Sequence, residues 1–127
     1  FRALKLWMSL KCFGLDAFRG AVTKGFKLAE YTEHLVRENP LLEVVTPAQM
    51  GILTFRFTRD LSDERLNELN RGIIDKIISD GYAMVATTQL RDKVVLRMCT
   101  INPRTTEDDI KQTIEKIATF GQELATS

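Results

Sequence analysis

The 127 residues carry 18 Lys and Arg against 17 Asp and Glu, a formal net charge of +1, and 44% are hydrophobic. That is enough apolar material for one domain with a real core. There is no basic excess and no Lys/Arg run to draw nucleic acid, and no apolar stretch near the roughly 20 residues a membrane span needs, so neither partner is expected.

Phe1, Leu4, Trp7, Met8 and Leu10 mark a first helix over Phe1–Phe13, with Gly14 as its stop. The chain starts at Phe1 rather than Met, already in helical pattern and with no signal peptide. It reads as a piece of a longer chain cut just before a helix. Asp16 opens a second helix that Asn39-Pro40 ends near Glu38. Leu15, Phe18, Val22, Phe26 and Ala29 form one seam of it, and Leu28, Tyr31 and Leu35 another. Gly20 and Gly25 cost helix stability of about 1 kcal/mol each against alanine, so close packing, for example on another helix, is their expected use.

Leu42–Thr46 reads as a short strand closed by Pro47. In Gly51–Thr58, Leu53, Phe55 and Phe57 face one way, and Thr54, Arg56 and Thr58 the other. Ser62 caps a helix running to Ser79, striped by Leu66, Leu69, Ile73 and Ile77 and ended by Gly81. Tyr82–Leu90 is the third strand, and Arg91-Asp92-Lys93 a tight turn into the fourth, making those two an antiparallel hairpin. The last helix spans about Thr106–Ala125, with Thr105 and Thr106 before Asp108 and Asp109 resembling a capping box.

The fourth strand organises the rest. Alternation puts Val94, Leu96, Met98 and Thr100 on one face and Val95, Arg97, Cys99 and Ile101 on the other. Asn102-Pro103 ends it. Arg97 is either an edge-strand arginine snorkelling to water or a group facing negative charge. The predicted architecture is α+β: two helices, then a mostly antiparallel sheet of about four strands with helices on one face. The other face carries Thr54, Arg56 and Arg97 among apolar residues and is expected to dock on another body.

Little else carries chemistry. No glycine-rich phosphate loop or nucleophile elbow occurs, His34 reads as a surface residue, and Glu107, Asp108 and Asp109 as a helix start. Cys12 and Cys99 lie far apart in apolar patterns, so two buried thiols in a reducing, cytoplasmic compartment are expected. Neither lies at ligand spacing to His34, so no metal site is expected.

Five stretches carry a resemblance: FRALKLW (1–7), FGLDAFRGAV (13–22), LAEYTEHLVRENPLLEVVTP (28–47), MGILTFRF (50–57) and LRDKVVLRMCTINPRTTEDDI (90–110). In this order and spacing they resemble the C-terminal region of the group II pyridoxal-phosphate-dependent amino-acid decarboxylases. The resemblance implies an aspartate-aminotransferase-type fold. In it a large domain holds pyridoxal 5'-phosphate, a small C-terminal domain covers it, and two chains form a homodimer with sites at the interface. Residues 1–14 would be the helix linking to the large domain, and 15–127 the small domain. The family's cofactor lysine follows a histidine, and no His-Lys pair exists here, since His34 precedes Leu35. The resemblance thus implies no catalytic or cofactor-binding residue in this segment, which alone would be inactive, and a decarboxylase as the intact protein. Arg97 matches a strand arginine that in several relatives meets a substrate carboxylate. Thr87-Thr88 stands where many bacterial relatives have His-Thr, which weakens any histidine contact from that strand. The LRDK turn resembles the aromatic branch, implying an aromatic amino-acid substrate. The competing readings are a free-standing α+β small-ligand module and a domain serving dimer contacts only.

Overall fold

The computed structural model describes residues 1–126. The elements follow in the expected order: α1 (Arg2–Phe13), α2 (Leu15–Glu38), β1 (Leu42–Gln49), β2 (Ile52–Phe57), α3 (Asp63–Asp80), β3 (Ala86–Leu90), β4 (Lys93–Cys99) and α4 (Glu107–Thr126). The strands form one sheet in the order β1-β2-β4-β3, and every pairing is antiparallel. The β3–β4 hairpin closes through Arg91 and Asp92, both at positive φ (50° and 65°), which matches the twist of a two-residue hairpin.

Alternation built the core as expected. Leu53, Phe55 and Phe57 of β2 and Leu96 and Met98 of β4 pack with Leu28 and Val36 of α2, Leu69, Ile73 and Ile77 of α3, and Ile110, Ile114 and Ile117 of α4. Three helices therefore cover one sheet face. The packing leaves no slack where α4 crosses β2: a Cβ on Gly121 would stand inside contact distance of the Phe57 ring. The capping box forms at Thr106. Its hydroxyl accepts from Asp109 N (3.2 Å) while Asp109 Oδ2 accepts from Thr106 N (2.8 Å). Those bonds to Thr106 hold the Asp109 carboxyl below its ordinary pKa.

Several expectations needed correction. β1 continues past Pro47 to Gln49, with register shifts on either side of Thr46. An edge strand tolerates a residue without an N–H, because its outer side has no ladder to feed. β3 begins only at Ala86, since the chain leaving the left-handed Gly81 cap must climb from the helix layer before it pairs. Gly25 packs against the backbone after β4, not a helix: Thr100 Oγ1 donates to Gly25 O at 2.8 Å. Gly20 has open space around it. Both cysteines are exposed thiols. Cys12 lies on α1, which buries nothing, and Cys99 lies on the helix-free sheet face.

Glu33 ties α2 to the irregular edge strand. Its carboxylate accepts from Ala48 N (2.6 Å) and pairs with Arg37 (2.6 Å). The Ala48 amide and then Arg37 lower its pKa from the ordinary 4.5, outweighing its partial burial. A carboxyl with a depressed folded pKa stabilises above its unfolded pKa, and that contribution is lost as pH falls through the folded value. The melting temperature is therefore expected to fall as pH drops from about 5 towards 3. Glu33→Gln should flatten part of this decline in a series of melts across pH. An unchanged slope would show that Glu33 contributes nothing to it.

Candidate functional site

The helix-free face is the candidate site. Strand register places its side chains: Thr54 of β2 stands opposite Arg97 of β4, and Arg56 lies two residues along from Thr54 on the same side. Arg56 and Arg97 thus share one face, as alternation required. Thr54 and Thr46 join their hydroxyls across β1 and β2 at 2.6 Å.

The two arginines differ sharply. Arg97 is exposed, and among the described residues it makes no ion pair. It is not on an edge: β4 lies between β2 and β3. Its neighbours on that face divide: Val95 is buried, while Cys99 and Ile101 are exposed. Arg97 is therefore an uncommitted cation on an inner strand, free to meet an anion brought to the sheet. Arg56 is only 2% exposed. Its Nη1 pairs with Asp63 Oδ1 at 3.2 Å, at the start of α3. The sequence carried no signal for this burial, because the flanking Phe55 and Phe57 point to the opposite face.

A second exposed surface runs along α1 and the first half of α2. Phe1, Leu4, Trp7 and Met8 are exposed, as are Leu15, Val22 and Phe26. Of the two α2 seams, the one that starts at Leu15 therefore stays outside the core until Ala29. Met50, Ile52 and Ile101 extend this apolar character to one end of the sheet. His34 lies outside both surfaces, exposed and 3.3 Å from Glu38 Oε1.

None of the described lysines is buried, and Lys24 and Lys93, for example, are solvent-facing. A lysine that holds a carbonyl cofactor needs an enclosing pocket with groups to orient the ring. The described residues do not supply one.

No protein-family model matches the chain. Over 129 aligned residues, its whole length, it is 45% identical to an aromatic-L-amino-acid decarboxylase of Bacillus atrophaeus, of which it covers 27%. It is 37% identical over 108 residues to tryptophan decarboxylase 2 of Oryza sativa subsp. japonica, covering 22% of that protein with 84% of itself. The crystal structure of Oryza sativa TDC with PLP and tryptamine aligns with a TM-score of 0.86 and 27% identity, over 96% of this chain and 27% of that one. The chain thus spans about a quarter of the length of the proteins it matches.

Proposed function

We propose that the chain is the C-terminal region of a group II pyridoxal-phosphate-dependent amino-acid decarboxylase, and that the intact protein decarboxylates an aromatic L-amino acid. The observation that carries this reading is the 45% identity to an aromatic-L-amino-acid decarboxylase along the entire chain. Residues 15–127 form the small domain and residues 1–14 the helix leading into it. Pyridoxal phosphate belongs to a large domain outside this segment, and it supplies the electron sink for loss of CO2. The intact protein works as a cytoplasmic homodimer, with this domain covering the active site. No helix of the described residues is long and apolar enough to cross a membrane. Arg97, unpaired on the helix-free face, is the residue proposed to meet the substrate carboxylate.

The test is to sequence and express the gene that encodes this chain. A His-Lys pair upstream of Phe1, a yellow purified protein and CO2 release from tyrosine, tryptophan or a DOPA-like acid are the expected results. An open reading frame without that pair, or a colourless protein inert to all three, would return the domain to the binding-module class.

The apolar surface of α1 and early α2 supports a body packed against this domain, because such a continuous patch is rare on free monomers. The 127-residue chain alone is therefore expected to self-associate. Light scattering at several concentrations should show mass rising with concentration, and a Leu4→Glu/Trp7→Glu variant should stay monomeric. A wild-type chain that remains monomeric at high concentration would count against this docking surface.

A further inference from the structure

The Arg56 guanidinium keeps two donors, Nε and Nη2, buried without any hydrogen-bond partner. Buried polar groups are nearly always paired, and a buried charge with orphaned donors is especially costly. The two orphans are not a random pair. Nε–H and an Nη2–H lie parallel along one edge of the guanidinium, the edge that takes both oxygens of a carboxylate or phosphate. Asp63 serves only Nη1, and it is shared, since Lys93 Nζ also approaches its Oδ1 at 4.0 Å.

A cavity of about 470 Å3 opens beside this side chain, between the β1 strand and the β3–β4 hairpin. Arg91 and Lys93 of the hairpin line it with Arg56, against Glu43 as the lining acid. Glu43 stands opposite Arg56 in the β1–β2 register yet makes no bond to it and is exposed. Counting Asp63, three cations face two acids, so the cavity is net positive, and Arg56, whose buried Nε and Nη2 lack partners, stands in its wall. Arg91 reaches it through a hairpin turn held at positive φ.

We propose that this cavity is an anion site, in which the Nε/Nη2 edge of Arg56 takes a carboxylate or phosphate group and Arg91 and Lys93 close over it. It is distinct from Arg97, which does not line it. The anion is either free in solution or an acidic side chain elsewhere in the intact protein; the second source rests on the decarboxylase reading.

The first experiment uses the 127-residue chain with 15N-arginine and follows the Arg56 Nε–H resonance by NMR. Sodium acetate and sodium phosphate are titrated against sodium chloride at equal ionic strength. A saturable shift with acetate or phosphate, absent with chloride, is expected. Lys93→Met removes an exposed cation at the mouth and should weaken binding about two- to fivefold without altering the fold. Glu43→Gln should tighten it, by removing the acid that repels the anion. A resonance that stays still, or moves equally with chloride, would overturn the proposal, as would a Lys93→Met chain with undiminished affinity. Arg56→Lys, if it folds, should lose the response.

The second experiment measures the melting temperature of the full-length enzyme in acetate and in chloride. A stabilisation by acetate that Lys93→Met reduces identifies a free anion. No difference, combined with binding in the isolated chain, identifies an acid of the enzyme already seated there. The first experiment needs only this chain, so its failure dismisses the anion site and leaves the decarboxylase reading untouched.

Discussion

In the decarboxylase proposed for the intact protein, Arg97→Met is expected to lower kcat/KM roughly ten- to hundredfold, the equivalent of losing a charged hydrogen bond of about 1.5–3 kcal/mol. The expectation comes from position and from lack of commitment. Arg97 projects from an inner strand on the face that no helix covers, and no acid of the described residues holds it. A fork of parallel donors in that setting suits a carboxylate. Arg97→Lys keeps the charge and loses the fork, so it should also be impaired. Because Arg97 has no partner within the domain, the 127-residue Arg97→Met chain should melt within about 0.5 kcal/mol of the parent, as exposed substitutions do. Cofactor absorbance and dimer mass should be unchanged. A variant that keeps full kcat/KM would reduce Arg97 to a side chain whose stem packs on the sheet while its head rests in water. A variant that instead loosens the dimer would assign it a structural acid in the large domain or the second chain.

Asn70→Ala should destabilise the isolated chain by about 2–4 kcal/mol, a large part of the 5–15 kcal/mol that holds a domain together. Asn70 is fully buried on α3. It accepts from Phe57 N at 2.8 Å and donates to Phe57 O at 3.0 Å and Leu66 O at 2.7 Å. The reason lies in the sheet. Pairing of β2 with β4 reaches Phe55–Leu96 and goes no further, so the backbone of Phe57 has no strand to bond on that side. Asn70 takes the place of the strand. One turn earlier, Asn67 does the same for β4, accepting from Val94 N at 2.7 Å and donating to Asp92 O at 3.0 Å. Alanine at 70 leaves the Phe57 N–H and C=O buried and unpaired and opens a small cavity besides. Urea denaturation should show a lower midpoint with unchanged slope. A loss under about 1 kcal/mol would mean that β2 and β4 close up and bond directly, or that water enters to replace the amide.

Asn70 also shows where periodicity stops informing. The stripe Leu66, Leu69, Ile73, Ile77 was legible, and Asn70 stands within it, four residues after Leu66 and three before Ile73. A polar residue in an apolar stripe signals a buried hydrogen-bond partner, but not which backbone group it meets. That partner is 13 residues away on β2 and is exposed to it only because two strands diverge.

The amino-acid sequence by itself determined the order of the eight elements, the helix caps at Ser62 and Thr106, the hairpin at Arg91-Asp92 and the faces of β2 and β4 that enter the core. These are set by bonds and spacings within a few residues, so local chemistry suffices. The sequence also carried the family resemblance, because whole motifs survive in order. Only the tertiary structure decided which surface residues are covered. It buried Arg56 and left Arg97 open, although alternation put both on one face. It exposed Cys12 and Cys99, whose apolar neighbours suggested burial. It let β1 run past Pro47 by making it an edge, and delayed β3 until the chain had risen from α3 to the sheet. The physical reason is common to all of these. A side chain's periodicity says which way it points, whereas its burial depends on what other segments, distant in sequence, lie over it.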